Sequence, residues 1–78
     1  MPAGAQIDLD ERLIAAHRRG DGIALLRLYR EAGDAAEAAG DIDKACFFYV
    51  QAYVFALETG HRDAEPVRAL LRRHGREE

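Results

Sequence analysis

The chain has 78 residues, a net charge of −3 and a single cysteine, so we expect one small domain without an internal disulfide. No Cys/His spacing resembles a zinc site, and the negative charge argues against general nucleic-acid binding, which requires a basic face. The most apolar stretch, residues 45–57, is shorter than the roughly 20 residues that cross a bilayer, so we expect no membrane span.

The amino-terminal segment carries no apolar run led by positive charge, so we expect no secretion signal and a cytoplasmic location. Residues 1–7 are predicted to form a disordered tail. The first helix is predicted from about Asp8 to Arg19, because Asp8 with Glu11 three residues later resembles a capping box.

Glycine followed by aspartate marks both ends of the second helix, which is predicted from about Gly22 to Ala39. Glycine is favoured just past a helix end because it tolerates the left-handed conformation, and aspartate is favoured as the next N-cap. The pairs Gly20–Asp21 and Gly40–Asp41 therefore indicate the end of one helix and the start of the next. Apolar residues cover about half of the second helix, and charged residues occupy the rest.

The third helix, predicted from about Asp41 to Thr59, is apolar on nearly all sides. A stripe of small residues lies nearly opposite a stripe of large ones, formed by Phe47, Val50, Val54 and Leu57. Such a helix must be surrounded, yet three neighbouring helices cover only part of it. We therefore predict that part of this helix contacts another chain. The residues expected to include the contact are Phe47, Phe48, Tyr53, Phe55 and Leu57.

The fourth helix is predicted to begin near Asp63, with Pro66 in its first turn, where no amide donor is needed. Residues 75–78 are predicted to fray. No segment alternates with a period of two, so we predict an all-α fold of four helices arranged as antiparallel hairpins. A compact four-helix bundle is the alternative arrangement.

Residues 26–59 resemble a tetratricopeptide repeat, a hairpin of two helices held together by small and aromatic residues. The sequence departs from the family pattern at Ala36, where a larger residue is usual, and at Leu57, where a proline commonly ends the repeat. The resemblance implies a right-handed helical array that binds proteins or peptides. The matching positions, in chain order, are Tyr29, Ala32, Gly33, Ala36, Gly40, Asp41, Ala45, Tyr49 and Ala52.

In that family, the inner surface of the first helix of each hairpin lines a groove for extended peptides. The resemblance implies that this surface carries Arg27, Arg30, Asp34 and Glu37 here. Arg27 and Arg30 would grip a peptide carboxylate with forked hydrogen bonds. Asp34 stands where the family's carboxylate clamp usually has a neutral amide, and mixed charges are also typical of an ordinary solvated helix face.

No residue pattern indicates catalysis, a metal site or a cofactor. The three histidines lie on separate segments, without the partners that a metal or catalytic histidine requires. Cys46 is predicted to be a small core residue, because its surroundings would not activate a thiolate. Asp41 and Asp43 are typical of a helix N-terminus rather than of an acid–base pair.

We therefore predict a non-enzymatic protein–protein interaction module, which binds a protein or peptide partner or a second copy of itself. The third helix would make the contact, and a peptide would lie along the second helix. No nucleic acid, membrane or cofactor is expected to bind. The alternative is a regulatory domain that binds a small apolar ligand between the third and fourth helices, where Tyr49, Tyr53 and Cys46 would line the pocket.

Overall fold

The structure, a computed structural model, describes the backbone of residues 2–76 and the side chains of residues 9–76. Within these residues it contains four α-helices and no strand, which confirms the predicted all-α fold. The helices are α1 Pro2–Arg19, α2 Gly22–Ala38, α3 Ile42–Thr59 and α4 Ala64–Arg73.

The turns on either side of α2 have the structure that their Gly-Asp pairs predict. Gly20 and Gly40 adopt φ angles of 64° and 84°, in the left-handed region that ends a helix at low cost. Asp21 and Asp41 cap α2 and α3, because each carboxylate accepts a hydrogen bond at 3.1 Å from the backbone N–H three residues later. Both turns are short and reverse the direction of the chain.

The start of α1 differs from its prediction. The helix begins at Pro2, whereas the sequence predicted a start near Asp8. Proline suits the first helical position, and the alanines and glutamine that follow it favour helix, so the predicted boundary was wrong. Residues 2–7, predicted to be a disordered tail, are helical. Met1 and the last two residues of the predicted frayed end at 75–78 lie outside the described residues.

The hairpin of α2 and α3 is the most extensive helix pair. Tyr49 is fully buried against Gly33, where a Cβ atom would stand 2.6 Å from the tyrosine ring. Ala45, Ala52 and Ala56 lie on the same side of α3 and are also fully buried. Small residues on both helices let the two backbones approach, and the tyrosine ring fills the space beside the crossing.

The two outer helices pack on different helices of this hairpin, α1 mainly on α2 and α4 on α3. α1 packs on α2 around the buried residues Ala16, Leu25 and Leu28, and α4 contributes Val67 and Leu71 to the core around α3. Among the described residues, extensive contacts join helices that are neighbours in the chain, and the Cα atoms span 33 × 29 × 15 Å. This order fits antiparallel hairpins in a thin array, whereas a compact bundle would also pack α1 along α4. The handedness of the array stays a prediction.

Candidate functional site

Among the residues that the structure describes, no other helix covers one face of α3. Phe47, Val50, Val54 and Leu57 expose 60%, 41%, 41% and 57% of their surface. Because successive members are three, four and three residues apart, their side chains project from the same side of the helix. We call these four residues the outer stripe.

Polar side chains follow one edge of the outer stripe. Lys44, Gln51 and Glu58 are seven residues apart, which places them in one line along the helix. Lys44 and Glu58 are exposed, and Gln51 is half-buried. The other edge of the stripe is formed by Cys46 and Tyr53, which belong to the core shared with α4. The outer stripe therefore has one charged border and one uncharged border.

The outer stripe is exposed because the neighbouring helices cover the other sides of α3. α2 covers the small residues on the opposite side, and α4 covers the side of Cys46. Fully burying a Phe, Leu or Val side chain stabilises a protein by about 1.5–3 kcal/mol. Because about half of each of these residues stays exposed, folding gains about 1 kcal/mol less stabilisation per residue than full burial would give.

The five residues predicted to include the contact fall into two groups. Phe47 and Leu57 belong to the outer stripe, whereas Phe48, Tyr53 and Phe55 are half-buried within the chain. The predicted set also lacked the two valines of the stripe. Their spacing from Phe47 and Leu57 was the signal that could have included them.

Phe55 connects three helices. Its ring stacks on Tyr29 of α2, with 5.9 Å between ring centroids and an interplanar angle of 4°. The imidazole of His17 on α1 lies edge-on to the same ring at 6.0 Å. Phe48 lies beside Tyr29 as well, at 6.2 Å. These rings hold α1 against the hairpin, so the aromatic content of α3 serves the core as well as the outer stripe.

The predicted peptide groove lies along one side of α2, and its residues differ in their surroundings. Arg27 is exposed and Arg30 is half-buried. Asp34 accepts a hydrogen bond from the Tyr49 hydroxyl at 2.6 Å. Burial of the phenol and this hydrogen bond to Asp34 raise the pKa of Tyr49, because both favour the neutral form. Asp34 therefore fixes the tyrosine that joins α2 to α3.

Glu37, the last residue of the predicted groove, binds side chains at the C-terminal end of α4. Its carboxylate lies 2.6 Å from Nε2 of His74 and 3.5 Å from a guanidinium nitrogen of Arg73. The hydrogen bond from His74 lowers the pKa of Glu37, because it favours the charged form of the carboxyl group. Both acids of the predicted groove thus help to hold the helices together, and peptide binding there stays a prediction.

A groove of about 450 Å³ opens between α1, α2 and the start of α3. It lies apart from the ligand pocket that was predicted between the third and fourth helices. Of the residues expected to line that pocket, Tyr49 and Cys46 are buried in the core at 0% and 3% exposure, and none lines this groove. The apolar lining of the groove includes Leu9, Leu13, Ala32, Ala35 and Phe48.

No group of three or more His, Cys, Asp or Glu side chains among the described residues is placed to hold a metal ion. None of the helices, as far as they are described, is both long and apolar enough to cross a membrane. Comparisons with protein-family models, curated proteins and solved structures find no match.

Proposed function

We propose that this chain is a non-enzymatic protein–protein interaction module that binds a protein through the outer stripe of α3. The observation that carries the proposal is the exposure of Phe47 and Leu57, each more than half exposed. The same chain buries Tyr49 and Leu26 completely, so it has a core that accepts large side chains. Large apolar side chains left outside that core are stabilised when a partner covers them.

The hairpin beneath the outer stripe supports this role, because it gives the stripe a fixed shape. Tyr49 packs on Gly33 and bonds Asp34, which holds α3 in place against α2. A partner therefore meets side chains on an ordered helix and does not bear the entropic cost of ordering the backbone. A tetratricopeptide-like hairpin, extended by one helix on either side, is the scaffold that we propose for this surface.

The size of the outer stripe indicates the strength of binding. At about 1 kcal/mol per side chain, the four residues contribute about 4 kcal/mol when covered. Association costs about 4–15 kcal/mol in lost translational and rotational freedom. The stripe alone therefore at most balances this cost, and a complex requires that the partner contribute an apolar surface and polar contacts of its own.

Binding of a small apolar ligand is a second candidate function, and the groove between α1 and α2 favours it. The groove is large enough for a small organic molecule and is lined mainly by apolar side chains. A thermal-shift screen tests this candidate. Ligands that bind there raise the melting temperature of the wild-type chain, and replacing Leu13 with glutamate removes the effect.

Site-specific photo-crosslinking in native cells tests the interaction module. A photoreactive phenylalanine analogue placed at Phe47 should form protein adducts when the cells are irradiated. The same analogue at Ala38, an exposed position on α2, is the matched control and should form few. Equal yields at the two positions, or no adduct at Phe47 or at Leu57, would show that the outer stripe does not bind protein.

A further inference from the structure

We propose that the occupant of the outer stripe is a second copy of this chain, whose α3 packs antiparallel against the first about a two-fold axis. This inference rests on the proposed function, because it names the partner of the same surface. It follows from the order of the apolar residues along the stripe and from the charges on its border.

The spacing of the outer stripe is that of the contact positions of a two-stranded coiled coil. Phe47 and Val54 occupy one type of contact position, and Val50 and Leu57 occupy the other. In an antiparallel pair the two types face each other. Phe47 then meets the partner's Leu57, and Val50 meets the partner's Val54. The larger pairs lie at the two ends and the valine pairs lie nearest the axis, so every member of the stripe is covered.

The polar border decides the orientation of the pair. In the antiparallel register, Lys44 lies beside the partner's Glu58, and Glu58 lies beside the partner's Lys44. Gln51 meets the partner's Gln51 near the axis, where two amides can hydrogen-bond. Both charged residues are exposed, so they can reach across to the second copy. In a two-fold pair, the polar borders of the two chains therefore face each other and form two ion pairs.

A parallel pair lacks this complementarity. In parallel coiled coils, one border of each helix faces the opposite border of its partner. Glu58 would then face the partner's Tyr53 and Gln51 the partner's Cys46, and Lys44 would face position 39, before α3 begins, so no ion pair forms. The apolar stripe permits either direction, and the charges favour the antiparallel one.

Charge reversal tests the inference, with the dissociation constant measured by sedimentation equilibrium from about 5 to about 500 μM. The wild-type chain should show a mass that rises toward that of a dimer. Lys44→Glu and Glu58→Lys each create two like-charge contacts and should weaken the dimer by about tenfold. The double variant restores both pairs, so its dissociation constant should return to within about threefold of the wild-type value. Glu11→Lys, on α1, makes the same change in net charge as Glu58→Lys and should leave the dimer unchanged.

Mixing the two single variants gives a second, independent readout. A dimer of one Lys44→Glu chain and one Glu58→Lys chain contains two opposite-charge pairs, so the mixture should associate about tenfold more tightly than either variant alone. Helix content measured by circular dichroism shows that each variant is folded.

Two results would overturn the inference. A wild-type chain that stays monomeric at all concentrations would exclude the second copy, whereas Phe47 adducts with other proteins would leave the interaction module intact. The antiparallel register would be excluded if the charge reversals left the dissociation constant of the dimer unchanged. It would also be excluded if the double variant dimerised more weakly than both single variants.

Discussion

Replacing Gly33 with alanine perturbs the closest approach of α2 to α3. The added Cβ would stand 2.6 Å from Cε1 and 2.7 Å from Cδ1 of Tyr49, closer than carbon atoms pack. The ring has little room to withdraw, because Tyr49 is fully buried and its hydroxyl is bonded to Asp34 at 2.6 Å. The variant must therefore separate the helices or move the ring.

Three terms set the size of the effect of Gly33→Ala. Alanine is favoured over glycine in a helix by about 0.8–1 kcal/mol. Overpacking a close contact costs about 1–3 kcal/mol, and weakening the hydrogen bond from Tyr49 to a carboxylate costs up to about 1.5–3 kcal/mol more. The unfavourable terms exceed the gain in helix propensity, so we expect a net loss of about 2 kcal/mol in the free energy of unfolding.

Urea denaturation followed by circular dichroism measures this loss for Gly33→Ala. The matched control is Ala35→Gly at an exposed position inside α2, which measures the helix propensity term alone and should cost about 1 kcal/mol. A Gly33→Ala chain that is as stable as the wild type, or more stable, would show that helix propensity outweighs the contact and that α2 and α3 do not approach as closely as described.

Three further predictions concern the core, the polar contacts and pH. At about 5 μM protein, Phe55→Ala should lower the free energy of unfolding by about 2–4 kcal/mol in urea denaturation. Phe47→Ala should lower it by no more than about 1 kcal/mol, because most of that ring is exposed. Equal losses for the two variants would contradict the assignment of the two rings. Tyr49→Phe should cost about 1–2 kcal/mol in the same assay through the lost hydroxyl bond, and an unchanged midpoint would contradict it. His74 lowers the pKa of Glu37, so the contact between the two side chains stabilises the fold at pH values above the usual pKa of a glutamate. This stabilisation is lost as the pH falls through the lowered pKa. Glu37→Gln should therefore reduce the loss of melting temperature between about pH 6 and about pH 3, and an identical acid profile would contradict it.

The helix boundaries on either side of α2 were predictable because they depend on local chemistry. A glycine in the left-handed region and an aspartate that caps the next helix act within a few residues, so their pattern is visible in the sequence. The start of α1 was missed because the helix continues past its strongest capping signal to Pro2. Local signals locate a stop more reliably than they exclude a longer helix.

Exposure along α3 was predictable only in part, because it depends on where the other helices pack. Phe47 and Phe55 are similar residues on the same apolar helix, and the sequence alone does not distinguish them. The structure does, since Tyr29 and His17 cover Phe55 and nothing described covers most of Phe47. The groove between α1 and α2 likewise depends on the angle of α1, which no local pattern encodes.

The three valines of the chain allow a direct test of the central claim, that a second copy covers the outer stripe. Val50 and Val54 lie in the stripe, and Val67 is fully buried in the core as an internal control. Methyl relaxation by a soluble paramagnetic agent measures the solvent exposure of each valine. In dilute solution Val50 and Val54 should relax fast and Val67 slowly, and at about 500 μM the two stripe valines should become protected. Fast relaxation of Val50 and Val54 that persists unchanged at high concentration would contradict the claim.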